Sequence, residues 1–159
     1  MKPTLYILCG IPGCGKSSFA QNFITRNKVW VSRDFFRFHL VKENEEYFSK
    51  EKEVFKMFSE TIAMYLKNGT SVIADATHLT YFSRKKTIDA VDRIFKDYQI
   101  IYVVFDTPLE LALERNAMRQ GREKVPEEAI KNMNDSFTIP HQEDPRTVEI
   151  WTIKNGGTM

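Results

Sequence analysis

Apolar residues along the chain fall into five short runs separated by stretches of helical spacing. The runs cover residues 4–9, 29–31, 71–74, 100–105 and 148–153. The first, Leu5-Tyr6-Ile7-Leu8-Cys9, is apolar without alternation, which suits a strand covered on both faces of a parallel sheet. Val54, Phe58, Ile62 and Leu66 recur every fourth position and predict an amphipathic helix over residues 51–66, stopped by Asn68-Gly69. Ile88, Val91 and Ile94 or Phe95 mark a second helix over residues 84–96. Thr107, Pro108 and Glu110 read as the cap, first turn and capping-box acid of a third, which Gly121 ends. Pro126-Glu127-Glu128 opens a fourth that runs to about Phe137. Residues 139–146, with two prolines, read as the loop before the last strand. Strands alternating with helices predict one α/β domain, about five parallel strands with helices on both faces. No internal repeat, low-complexity tract or linker interrupts the pattern.

Between the first strand and the next helical stretch (Ser18 to Ile24) lies Gly10-Ile11-Pro12-Gly13-Cys14-Gly15-Lys16-Ser17. Glycine, four residues, then Gly-Lys-Ser is the Walker A spacing, here in its strand–loop–helix context. A phosphate needs several donors converging on it. A tight glycine loop aims backbone N–H groups inward, and the helix behind adds unpaired N–H groups and the positive end of its dipole. Lys16 would bridge the β- and γ-phosphates of a nucleotide, and the Ser17 hydroxyl would hold Mg²⁺.

Composition narrows the partners. Twenty-three basic and 21 acidic residues leave a net charge of +2, so any hold on nucleic acid must come from local patches. No run of about 18 apolar residues predicts a membrane span, and no basic-then-apolar leader precedes the first strand. Cys9 and Cys14 are the only cysteines. One ends a strand and the other sits in the glycine loop, so neither a structural disulfide nor a zinc site is expected, and a reducing cytoplasm is the expected setting.

In such sheets ligands sit beyond the carboxyl ends of the strands. Four polar clusters follow strands there. Asp34 could accept the proton of an attacking hydroxyl, or serve only as a first-turn acid favoured by the helix dipole. Arg37, one turn on, could grip an anionic group of the acceptor or pair with Asp34. Asp75 could serve Mg²⁺ or its water shell, or cap a turn; Thr77 and His78 face the same cleft in this reading. Arg115 and Arg119, with Arg122 and Lys124 beyond, could close over the nucleotide and neutralise the transferred phosphoryl group, or simply enrich a helix C-terminus in positive charge. His78 suits a neutral, hydrogen-bonding loop histidine better than a catalytic base. Arg33 reads as structural or exposed. Arg84-Lys85-Lys86 reads as a solvated face, with contact to a nucleic-acid backbone as the alternative.

Taken together, Gly10 to Ser17, Ser32-Arg33-Asp34-Phe35-Phe36-Arg37, Asp75-Ala76-Thr77-His78, the stretch from Glu114 to Arg122, and Val125 to Ile130 resemble, in order, the 5′-hydroxyl polynucleotide kinase domain. This is a P-loop kinase branch found in phage and bacterial nucleic-acid repair. The resemblance covers nearly the whole chain and implies a single P-loop kinase domain, residues 1–159, with a helical arginine-bearing lid. It implies ATP or another nucleoside triphosphate as donor, Mg²⁺ as cofactor, nucleic-acid 5′-hydroxyl ends as acceptor, and room for a ligase partner. For a phage-encoded member the setting is the host cytoplasm. Lys16 and Ser17 take the donor phosphates and the magnesium, with Gly10, Ile11, Pro12, Gly13, Cys14, Gly15 and Ser18 completing the ATP loop. Asp34 is implied as general base, Arg37 as the grip on the phosphate 3′ to the acceptor nucleoside, and Asp75 and Thr77 as acceptor-side residues. Arg119 is implied on the donor phosphates, with Arg115 in support.

The chain departs from the family at His78, where asparagine is common, and at Cys14, usually a small residue. These residues contain no Asp-x-Asp-Gly-Thr phosphatase stretch, so healing by this chain alone is expected at the 5′ side only. Two other functions remain compatible: a P-loop kinase for a small-molecule hydroxyl, and a nucleotide-binding ATPase module without acceptor. Strand preference and oligomeric state are not legible.

Overall fold

A computed structural model describes residues 1–121 and 124–154. Within them lie five strands and six helices in the order β1 (Thr4–Cys9), α1 (Lys16–Phe23), β2 (Lys28–Ser32), α2 (Arg33–Leu40), α3 (Glu51–Lys67), β3 (Ser71–Asp75), α4 (Tyr81–Asp92), β4 (Gln99–Asp106), α5 (Leu109–Ala117), α6 (Glu127–Ser136) and β5 (Thr147–Lys154). All five strands are parallel, in spatial order β2-β3-β1-β4-β5. Leu5 of β1 is level with Val72 of β3 on one side and Ile100 of β4 on the other. After β1 the chain builds one half of the sheet and then crosses to build the other. The crevice of the switch therefore opens over the carboxyl end of β1.

Alternate side chains of β1 go to opposite layers. Leu5, Ile7 and Cys9 join Phe58, Ile62 and Leu66 of α3 and Ile88 and Val91 of α4. Leu8 joins Phe19 and Ala20 of α1, Ala112 of α5 and Ile130 of α6. Helices thus cover both faces, as expected. No described helix is long and apolar enough to cross a membrane. Cys9 and Cys14 are free and buried, and burial pushes the Cys9 thiol up to about 12.

Two helices, α4 and α5, differ from expectation at both ends. Helix α4 ends at Asp92 and starts three residues before Arg84, where Thr80 and Ser83 form a reciprocal capping box; serine in place of the usual Glu or Gln hid that signal. Thr107 does not cap α5: its hydroxyl donates instead to the Cys14 carbonyl at 3.2 Å, and Pro108 takes the cap position. Nor does Gly121 end that helix, which stops at Ala117. The Asn116 amide bonds both the N–H and the carbonyl of Val125, at 2.9 and 2.6 Å, and so pins the chain beyond.

The basic run also differs. Arg84 is buried, with both Nε and Nη2 donating to Glu143 at 2.9 Å and Nη1 to the carbonyls of His78 and Thr138. A guanidinium so enclosed staples α4 to the segment before β5, where removing one partner would leave a buried charge, at a cost of about 3–5 kcal/mol. Lys85 and Lys86 do face solvent.

His78 is buried rather than open to the cleft. Its Nδ1 lies 2.9 Å from the Leu8 carbonyl, which can only accept, so Nδ1 carries the proton; Nε2, 3.0 Å from the Thr87 hydroxyl, accepts. Burial lowers its pKa from 6.5 to about 4. The unfolded chain binds this proton below pH 6.5 while the folded chain refuses it until about pH 4, so the stability this site supports is complete above 6.5 and is lost as pH falls through that window. His78→Asn removes the titration and tolerates the positive φ of this residue. In urea unfolding, the wild type should lose about 2 kcal/mol more than the variant between pH 7 and pH 4.5. Equal losses would show that His78 does not resist protonation.

Candidate active site

The glycine loop closes over the switch point. Gly13 and Gly15 have φ of +85° and +98°, in the left-handed region, and a Cβ on Gly13 would lie 2.5 Å from the Ala112 carbonyl oxygen. Any side chain there would push the loop off α5. Helix α1 starts directly behind the loop and carries no acid of its own in its first turn, so its positive end faces the loop. Loops from three strands are tied together here. The Gly10 N–H donates to the Thr77 carbonyl at 2.9 Å, Thr107 holds the Cys14 carbonyl, and Arg115 Nη1 donates to the Gly13 carbonyl at 3.3 Å.

A cleft of about 970 Å³ runs from this loop to α2 and the start of α3, within the range of small-ligand sites. Pro12, Gly13, Gly15, Lys16, Ser17 and Ser18 form its donor end. Gly10, Ile11 and Cys14 are buried behind the loop; they shape it rather than line the cleft. Lys16 Nζ folds back on the carbonyls of Gly10 and Ile11 at 2.9 and 3.2 Å. Arg119 lines the cleft, whereas Arg115 rests on the loop backbone. Arg122 lies outside the described residues.

Asp75 ends β3 on the cleft wall, with Thr77 beside it. Ser17 Oγ donates to its Oδ2 at 3.4 Å, and Trp30 Nε1 donates to the same oxygen at 3.0 Å. Burial raises the Asp75 pKa although the Lys16 charge opposes it. A hydroxyl and a carboxylate oxygen side by side are hard donors, and a carboxylate costly to bury gains from a cation beside it. Ser17 and Asp75 therefore fit Mg²⁺ arriving with a nucleotide.

The other end of the cleft is built by α2, its connection to α3, and Glu51. Ser32 caps α2, accepting from the Phe35 N–H, which puts Asp34 in the first turn. Its Oδ1 accepts from Arg37 Nη1 at 2.5 Å and from the Tyr47 hydroxyl at 3.1 Å; among the described residues no hydrogen bond reaches Oδ2. Burial and the Asp34 charge push the Tyr47 hydroxyl up to about 12, so it remains a donor. Arg37 is buried. Its Nε and Nη2 clasp Glu51 at 2.7 and 2.6 Å, and its guanidinium lies 5.2 Å from the ring centres of both Tyr47 and Phe48. Burial by itself would lower the Arg37 pKa, but the hydrogen bonds to Glu51 and the charges of Asp34 and Glu51 outweigh it and raise the value. Burial likewise works against the Glu51 carboxylate, and Arg37 and Arg33 outweigh it to hold the pKa low. Arg33, half-buried, donates to Glu51 at 3.2 Å and is structural, as one of the two readings had it.

Arg37 pairs with Asp34, as one of its two readings had it, and it also lines the cleft. Three contributors are absent from the sequence reading. Glu51 stands there only at the start of the helix over residues 51–66, Tyr47 lies in an unpatterned connection, and Trp30 reads as one more strand residue. Each acquires its role from a partner at least 13 positions away.

The chain is 31% identical over 144 residues to an L-seryl-tRNA(Sec) kinase of Methanococcus maripaludis, covering 86% of this chain and 53% of that protein. It is 26% identical over 146 residues to a protein of Autographa californica nuclear polyhedrosis virus described as a bifunctional polynucleotide kinase/RNA ligase, covering 84% of this chain and 20% of the relative. A chain in the structure of the Pnkp1/Rnl/Hen1 RNA repair complex superposes with a TM-score of 0.71 at 32% identity, over 85% of this chain and 44% of the other. The chain thus spans about half or less of the length of these relatives. Residues 5–140 match the family model AAA_33, described as an AAA domain, and with the loop and fold above this chain belongs to that family as a P-loop kinase domain.

Proposed function

We propose that this kinase transfers the γ-phosphate of ATP to the 5′-hydroxyl end of DNA or RNA. The observation that carries the reading is the single cleft shared by a phosphate loop and, at its far end, a carboxylate with an open oxygen beside a guanidinium, Asp34 and Arg37. A bound triphosphate would direct its terminal phosphate along the cleft. Asp34 would orient the acceptor hydroxyl in line with it and take its proton as the new O–P bond forms and the bond to the leaving ADP oxygen breaks. Lys16 and Arg119 would offset the charge on the transferred group and on the ADP. Mg²⁺, held by Ser17 and Asp75, would neutralise phosphate charge. Arg37, held in one orientation by Glu51, would present its remaining N–H groups to an acceptor phosphate.

The relatives described as a polynucleotide kinase/RNA ligase and as part of an RNA repair complex support a nucleic-acid acceptor and a ligase acting on the product. A second reading, phosphorylation of a serine hydroxyl carried on tRNA, is favoured by the identity to the L-seryl-tRNA(Sec) kinase.

With labelled ATP and Mg²⁺, an oligonucleotide bearing a 5′-hydroxyl should accept label at that end, in preference to seryl-tRNA, nucleosides and neutral sugars. Label on seryl-tRNA or a small acceptor alone would replace the proposal. Asp34→Asn should lower kcat by a factor of about 100 or more while nucleotide binding by calorimetry stays unchanged; a variant near wild-type rate would remove Asp34 as base. Arg37→Lys keeps the charge but loses the fork, and should raise the acceptor KM about tenfold with the ATP KM unchanged. Equal changes in both constants would place Arg37 outside acceptor recognition.

A further inference from the structure

We infer that Phe35 and Phe48 form a stacking platform for the terminal nucleobase of the acceptor strand; the inference rests on the nucleic-acid reading proposed above. Both rings line the cleft that holds Asp34 and Arg37, yet they are 57% and 47% exposed. Phe35 lies on α2 next to Asp34, and Phe48 on the α2–α3 connection next to Tyr47.

Neither ring is loose. Phe35 stacks on His39 at 5.0 Å and 26° and meets Phe36 edge-on at 5.5 Å and 85°. Phe48 meets Tyr47 edge-on at 4.8 Å and 79° and lies against the Arg37 guanidinium. Rings already supported by neighbours lose little freedom when a planar ligand settles on them.

Beyond the one phosphate contact proposed for Arg37, the charges around them favour such a ligand over further holds on the strand's phosphates. Arg33 and Arg37 are matched here by Asp34 and Glu51, and the whole chain carries only +2. Counterion release therefore supplies little of the affinity at this end. An uncharged aromatic plane gains from the rings without needing surplus charge, and because every base has a π face the preference is for a base of any identity. Stacking would also set the terminal sugar at a constant height relative to Asp34.

The test measures kcat and acceptor KM for oligonucleotides that share one sequence and end in a purine, a pyrimidine or an abasic 5′ residue. The expected result is a roughly tenfold higher KM for the abasic end, with kcat less affected. Phe35→Ala and Phe48→Ala should raise KM for base-bearing ends several-fold, leave the ATP KM unchanged, and add no further penalty on the abasic acceptor. Phe48→Trp should restore the KM. Both rings are exposed, so thermal melting should show the variants folded. Equal KM for abasic and base-bearing ends, or an alanine penalty of the same size on both, overturns the platform while leaving the end-kinase reading intact. An enzyme that labels no nucleic-acid end overturns both.

Discussion

The central strand β1 is hydrogen-bonded on both sides, to β3 and to β4, and its side chains are enclosed by helices on both faces. Its peptide groups find partners in the neighbouring strands, and the Gly10 N–H just past its end is still held by the Thr77 carbonyl. There the chain must turn into α1, and the glycines allow it to do so with N–H groups left facing outward. The binding end of the molecule is therefore a consequence of how the sheet is wound. The loops after β3 and β4 arrive at the same level because their strands are in register with β1, and Thr77 and Thr107 tie them to the phosphate loop.

The two ends of the cleft solve opposite electrostatic problems. The donor end has Lys16, the positive end of α1 and Arg119, a field suited to a polyanion. The acceptor end is closed by its own ion pairs: Asp34, Arg37, Glu51 and Arg33 form one chain of contacts. A guanidinium clasped through two nitrogens cannot wander, which keeps the carboxylate it touches at a defined place. Rigidity at this end and positive charge at the other suit a reaction in which positioning and electrostatics supply most of the rate.

Family membership fits this division. The phosphate loop and the sheet behind it are common to P-loop kinases, whereas α2 and its connection to α3, where this chain places aromatic rings around a paired carboxylate, form the end proposed above for the acceptor. Relatives with different named acceptors, a seryl-tRNA and a polynucleotide, match over most of this chain. Because the chain spans only part of those proteins, the acceptor end of this domain has to be read from its own residues.

Much of the fold was legible in the sequence because its signals are local. Continuous apolar runs mark strands buried on both sides, four-residue spacing marks α3, and the Walker A spacing between strand and helix marks a phosphate loop. The places of Lys16, Ser17, Asp34 and Arg37 around one cleft could be anticipated from their offsets along strand and helix ends. Other features were invisible because they depend on distant partners. Arg84 reads as a surface charge until Glu143 and two carbonyls enclose it. His78 reads as a cleft residue until Leu8 and Thr87 claim both ring nitrogens, and Thr107 reads as a cap until the Cys14 carbonyl takes its hydroxyl. Local pattern specifies which backbone conformation a segment takes, since that cost is met residue by residue. The partner of a buried charge or hydroxyl is set by what the packed layers bring within hydrogen-bond reach, and only the tertiary structure decides that.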